Sequence, residues 1–471
     1  MRTFTFKGLF LTAVFTLLGC LSIQAADDDL ITKQITIKLD EAGTLPDKIG
    51  SSEKYKITNL KIIGEINGTD WKMIREMAGR DYYNNPTEGK LSVLDLSEAK
   101  IVEGGDSYNI GTKDGQDVYN SYTSNDEIGE FAFYGCSGLT SLNLPAGITT
   151  IGSRAFQNCT GLTSLNLPAS LTTIGKSAFS YCTGLTSLTL HAGITEIGED
   201  AFAGCSGLTS LNLPSSLTTI GGSAFYGCSG LTSLNLPSSL TTIGDGAFYR
   251  CSGLTSLNLP AGLTSIGSGA FYGCSGLTSL NLPASITTIG SSTFSGCSGL
   301  TSLTLPAGIT EIGAYAFYGC SGLTSLNLPA SLTTIGKFAF NGCSGLTSLT
   351  LPAGITSIGL SAFKGCSGLT SIYVYAEKVP EIGSNVFEKC DAKKCTVYVP
   401  KGTYDDYWLS NFGYFENIVE FDATGIDKTT TSTDVEELSL YSVNGQRLVG
   451  PTKGLNIVKY SDGSVKNVAV E

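Results

Sequence analysis

Residues 205–227 read CSGLTSLNLPSSLTTIGGSAFYG. Leu208, Leu211 and Leu213 stand in an L-x-x-L-x-L spacing, and alternate side chains of a strand face one side. The stretch therefore predicts a short strand with one buried face. Pro214 ends it, because a proline has no amide hydrogen for a mid-sheet ladder. Leu217, Ile220, Ala224 and Phe225 supply a second set of apolar side chains, and Gly221-Gly222 lets the chain turn between the two sets. One such stretch is one coil.

The coil recurs. Cys136, Cys159, Cys182, Cys205, Cys228, Cys251, Cys274, Cys297, Cys320, Cys343 and Cys366 are eleven cysteines spaced by 23 residues, and Cys390 continues the series after one inserted residue. A fixed period of this length predicts a repeat architecture. A lone coil cannot cover its own apolar face, so neighbours must stack, share faces and ladder their backbones, and the ends of the array need caps.

The motif C-S-G-L-T-S-L-N-L-P-x-x-L-T-x-I-G-x-x-A-F resembles the BspA-like leucine-rich repeats of bacterial surface proteins over about residues 125–420. The resemblance implies an α/β-type repeat, a leucine-rich-repeat solenoid of short strands and turns. It also implies an exported protein that binds host proteins or other cells. Residues 395–402, with Tyr404 and Tyr407, are similar to that family's C-terminal cap. The near-identity of the repeats departs from the family and leaves few positions distinctive enough to carry a ligand's contacts.

The flanks differ from the array. Arg2 and Lys7 precede an apolar stretch from Leu9 to Leu21, too short to span a bilayer comfortably, and small residues up to Ala26 follow. This reads as a signal peptide over 1–26. Leu17-Leu18-Gly19-Cys20 also resembles a lipobox, which makes Cys20 a lipidation candidate; the alternative is cleavage before Asp27 and soluble secretion. No later segment is apolar enough to predict a membrane span in the mature chain. Residues 27–125 read as an N-terminal capping region, with strands at Leu60–Gly64 and Leu91–Leu96, an amphipathic helix at Trp71–Met77 and a polar loop from Asp114 to Asp126. The solenoid with its C-terminal cap occupies 126–421, a Thr- and Asp-rich linker 422–434, and a small β-rich module 435–471. Asn444-Gly445 and Asp462-Gly463 in that module are hairpin signals. Its Tyr441–Arg447 and Lys453–Val458 stretches resemble C-terminal sorting domains of Gram-negative secretion systems.

The chain carries a net charge of −12, yet between Cys136 and Cys366 it has five basic residues (Arg154, Lys176, Arg250, Lys337, Lys364) and five acidic ones (Glu196, Glu199, Asp200, Asp245, Glu311). Nucleic-acid binding needs a basic stripe, and this array has none.

Three rows repeat along the coils. The cysteines behave as small buried hydrophobes, since ligands strung along a line cannot converge on one metal ion; Cys390 and Cys395, outside the regular series, are candidates for pairing. Asn143, Asn166, Asn212, Asn235, Asn258, Asn281 and Asn327, interrupted by Thr189, Thr304 and Thr350, form a polar outward row. It reads either as a hydrogen-bonding platform for a long polymer or as a solvated face. Tyr134, Tyr226, Tyr249, Tyr272 and Tyr318 share one place in their coils. They read either as ligand contacts, tyrosine being enriched in binding hot spots, or as rings laid over one another to finish the packing.

Chemistry is poorly supplied. His191 is the one histidine, standing where most coils have Pro, and no hydroxyl or thiol with a base and an orienting group accompanies it. The sequence predicts no enzyme, no cofactor and no metal. It predicts a surface or secreted binding protein, an adhesin or interaction scaffold. Its partner is a host extracellular-matrix or plasma protein or another bacterial surface protein. A polysaccharide receptor or a structural spacer is the alternative.

Overall fold

A computed structural model describes residues 29–113 and 116–423, and four strands between residues 437 and 470. The signal-peptide and lipidation readings at 1–26 and Cys20, and nearly all of the 422–434 linker, lie outside the described residues. The fold divides into two units, one running to Ile194 and including Gly204–Leu208, the other formed by Thr195–Ala203 and the chain from Thr209 onward.

The first unit opens with strands β1 (Ile35–Lys38), β2 (Asn59–Ile66) and β3 (Val93–Ile101), paired in parallel. β3 pairs in turn with Ser141–Asn143, the first repeat strand, through Val93↔Ser141. Helices α1 (Leu45–Lys48) and α2 (Gly68–Met77) lie between the early strands. Asn67 caps α2, its side chain accepting from the Thr69 amide, while the carboxylate of Asp70 accepts from the amides of Asn67, Gly43 and Leu45 at 3.0, 2.6 and 2.8 Å. That one buried carboxylate ties α2 to the loop before α1. α2 buries Trp71 against Phe133, with ring centroids 5.3 Å apart, and Trp71 Nε1 donates to the Ala132 carbonyl at 3.1 Å. Buried Arg75 donates to the carbonyls of Phe131 and Ala132.

Residues 104–123 depart from expectation. β4 (Gly104–Lys113) and β5 (Gln116–Thr123) form an antiparallel hairpin where a polar loop is predicted from Asp114. The strand is polar but not unsupported: Ser121 and Thr123 are buried, Ser107 Oγ donates to Ser121 O, and Thr123 Oγ1 donates to Gly104 O. The sequence pair between Lys113 and Gln116 is Asp-Gly, a tight-turn signal in its own right.

Each regular coil has three legs. The first is the S-L-N strand, as in Ser233–Asn235 pairing with Ser256–Asn258 in the second unit. The second is a two-residue strand such as Thr219–Ile220 pairing with Thr242–Ile243. The third is the Ala-Phe turn, whose amides donate forward to the next coil (Phe225 N to Ala247 O, 2.8 Å), whereas the second leg donates backward (Gly244 N to Ile220 O, 2.8 Å). Each coil is thereby held to neighbours on both sides, and few backbone groups are left unpaired. Side chains follow the expected division: Leu231, Leu234, Leu240, Ile243, Ala247, Phe248 and Cys251 are all buried. The phenylalanines stack in register, for example Phe248 on Phe271 at 5.3 Å and 2° between planes.

The second unit ends with Thr396–Pro400 and Asn417–Phe421, which extend the first-leg sheet in parallel, and with α3 (Tyr404–Trp408). Phe412 and Phe415 pack on Phe387, each at 5.1 Å, closing that unit's phenylalanine stack. Buried Tyr407 donates its hydroxyl to Ala376 O at 2.7 Å, pinning α3 across the last coils. The strands Glu437–Ser442, Arg447–Leu448, Gly454–Tyr460 and Val465–Val470 form a separate antiparallel sheet.

Candidate binding surface

The cysteine row lies inside. The thiols from Cys136 to Cys395, Cys390 and Cys395 included, are free and buried. From Cys159 to Cys366 those of the series donate to the phenylalanine carbonyl 26 residues earlier, as Cys182 Sγ does to Phe156 O at 3.0 Å and Cys343 Sγ to Phe317 O at 3.3 Å, and Cys390 donates to Phe363 O, 27 residues earlier. Burial pushes Cys136 up to about 11 and Cys205, Cys274 and Cys390 up to about 12. At neutral pH such thiols are neither nucleophiles nor metal ligands.

The asparagine row faces out. Asn143 and Asn166 in the first unit, and Asn212, Asn235, Asn258, Asn281 and Asn327 in the second, are exposed on the first-leg sheet, each beside a buried leucine. Thr189 and Thr304 continue it exposed, Thr350 half-buried. A parallel row of threonines is differently employed: the hydroxyls of Thr255, Thr278 and Thr301 each donate to the carbonyl of the threonine one coil back. His191 Nε2 lies 2.9 Å from Leu167 O, in a shallow groove with Ser164, Asn166, Ser187 and Thr189. It is held by backbone and meets no carboxylate there.

The five tyrosines are not one stripe. Tyr226, Tyr249 and Tyr272 stack on consecutive coils, with centroids 5.1 and 4.4 Å apart and planes within 11° and 4° of parallel. All three are half-buried: faces cover each other while edges reach solvent. Burial raises the Tyr249 hydroxyl's pKa, and Tyr272 beside it adds to the rise. Tyr318, 43% exposed, instead meets Tyr315 at 5.9 Å, and Tyr134 packs edge-on against Phe131 at 5.5 Å. Their equivalents in neighbouring coils are Gln157, Ser295 and Asn341, so no ring continues the row.

Backbone conformation marks residues that the sequence reading passed over. The position before each cysteine of the series has positive φ and is Gly at 135, 204, 227, 273, 296, 319, 342 and 365, but Asn158 (φ 62°), Tyr181 (φ 59°), Arg250 (φ 58°) and Lys389 (φ 69°) hold it in their coils. The left-handed conformation costs an L-residue roughly 1–2 kcal/mol. Tyr181 is 49% exposed, and Arg250 is exposed with its guanidinium over the Tyr249 ring, 5.6 Å from the centroid. Tyr315 and Phe338, stacked at 4.9 Å, likewise have positive φ where Gly246 and Gly269 stand in sibling coils. For Tyr181 and Arg250, departure from the glycine of most sibling coils was the available signal.

The BspA-type leucine-rich repeat model matches residues 119–232, 172–301 and 287–411, in six copies, together covering more than half of the chain. The chain belongs to the BspA-type leucine-rich repeat family. A leucine-rich repeat protein from Bacteroides ovatus, of known crystal structure, is 29% identical over 71% of this chain and 84% of its own, with a TM-score of 0.52. A leucine-rich cell surface protein from Faecalibacterium prausnitzii is 24% identical over 65% of this chain and 86% of its own (TM-score 0.36). The pneumococcal vaccine antigen PcpA is 24% identical over 62% and 76% (TM-score 0.38). No curated protein matches significantly. Membership of the repeat family accounts for the stacked coils. Among the described residues no helix is long and apolar enough to cross a membrane.

Proposed function

We propose that this chain is an exported, non-enzymatic binding scaffold that acts at the cell surface as an adhesin, engaging a host extracellular-matrix or plasma protein, or another bacterial surface protein. The observation that carries the reading is the Tyr226–Tyr249–Tyr272 ladder: three large side chains fixed by mutual stacking, with edges free, in an otherwise nearly uncharged array. Rigid aromatic groups lose little entropy on binding. Export rests on the signal-like residues 1–26, and tethering, where it occurs, on Cys20. Residues 435–471 act as an accessory or sorting module.

A second reading has its own support. The outward side chains of the first-leg sheet, a serine in each coil and an asparagine in most, with threonine at 189, 304 and 350, suit hydrogen bonding to a polysaccharide. A screen of the full chain against immobilised matrix and plasma proteins, alongside a polysaccharide panel, separates the two. Saturable binding to a protein supports the adhesin, binding to glycans alone supports the second reading, and binding to neither leaves a structural spacer.

A further inference from the structure

We infer that Arg250, together with the tyrosine ladder, forms a contact for a polypeptide segment that presents one or two carboxylates among apolar side chains. The inference builds on the proposed role of the ladder and assigns it a ligand chemistry.

Arg250 occupies a left-handed backbone position that glycine fills in the coils on either side, at Gly227 and Gly273. The backbone of its coil does not require the side chain. The Arg250 amide donates to Tyr272 O at 2.6 Å, the same bond that Gly227 makes to Tyr249 O at 2.7 Å, so the backbone task is done equally well by glycine. Among the described residues Arg250 makes no ion pair, and its guanidinium rests only over the Tyr249 ring. The nearest acidic residue in the coil, Asp245, accepts from the Ser268 amide at 2.7 Å. An exposed cation thus sits in a left-handed position, stacked on the middle ring of the ladder, with no ion-pair partner among the described residues. Residues held in costly conformations without local compensation concentrate at functional sites.

The guanidinium fork fits a carboxylate in two-point contact, and tyrosine with arginine is the composition enriched in interface hot spots. Polyanions such as sulfated glycans or nucleic acids are held by rows of cations. This edge offers one cation and three ring edges, which matches an acidic but partly apolar peptide.

The test uses the full chain and a fluorescein-labelled glutamate–tyrosine copolymer, read by anisotropy, with heparin as the polyanion arm. Arg250→Gly should weaken copolymer binding at least tenfold while unfolding at the same or higher denaturant concentration, because glycine suits the backbone. Arg250→Ala should weaken binding equally without that gain in stability. Binding by Arg250→Gly within twofold of the unsubstituted chain overturns the inference, as does an unsubstituted chain that binds heparin but not the copolymer, or binds neither. If replacing the three tyrosines abolishes binding while Arg250→Gly keeps it, the charge assignment falls and the ladder reading stands; the reverse result removes the ladder and leaves Arg250 as the contact.

Discussion

The thiol of Cys251 donates to the carbonyl of Phe225 at 3.1 Å, reaching one coil back into the stack that Phe225 itself builds with Phe248. The cysteine is therefore both filler and donor. Cys251→Ala leaves the Phe225 carbonyl without this bond and opens a small void, at a cost of about 1–2 kcal/mol. Cys251→Arg buries a charge with no partner and should cost about 3–5 kcal/mol or unravel the neighbouring coils. Denaturant unfolding of the two variants should rank them in that order.

Alkali should unfold the protein abruptly. Burial raises these thiols above the ordinary thiol value of 9.0, to about 12 at Cys205 and Cys274. The unfolded chain therefore releases thiol protons first, and the stability present in full below about pH 9 is lost as pH rises toward 12. Each thiol contributes a slope of about 1.4 kcal/mol per pH unit in that window, and the slopes add. Circular dichroism against pH should show a transition between about pH 9 and pH 12, with a weaker pH dependence when several of these cysteines are replaced by alanine. A titration flat to pH 11 contradicts this.

Two glycines separate space from sequence. A Cβ on Gly244 would lie 2.6 Å from Gly222 N, whereas one on Gly262 would meet nothing closer than Ser238 O at 3.5 Å. Gly244→Ala should lower stability by about 1–3 kcal/mol through coil–coil overpacking, and Gly262→Ala should leave it within about 0.5 kcal/mol. Equal effects would mean that the coils are not stacked as described.

The N-terminal region depends on one carboxylate. Asp70 accepts from three backbone amides around α2, and Asp70→Ala strands all of them in a buried setting. A loss of about 2–4 kcal/mol is expected, read as a lower thermal midpoint with the regular coils unchanged in hydrogen exchange.

The array was legible because its period is written in cysteines, leucines and prolines, each with one physical job repeated unchanged. Trp71–Met77 was legible as an amphipathic helix for the same reason. The β4–β5 hairpin was not: Asn120, Ser121 and Thr123 give no apolar alternation, and its support comes from hydrogen bonds between residues far apart in sequence. The 23-residue spacing of Tyr226, Tyr249 and Tyr272 also showed that these three lie on consecutive coils, but not that their rings stack face to face. Arg250 stands in the sequence where the adjacent coils have Gly227 and Gly273, but that this position is left-handed is shown only by the sign of φ.

The most direct test of the account compares saturable binding of the full chain, and of its Tyr226→Ser/Tyr249→Ser/Tyr272→Ser form, to the protein ligand found among matrix and plasma proteins. The account predicts at least tenfold weaker binding with the unfolding transition retained. Undiminished binding by the triple variant, or saturable binding to polysaccharide alone, would contradict it.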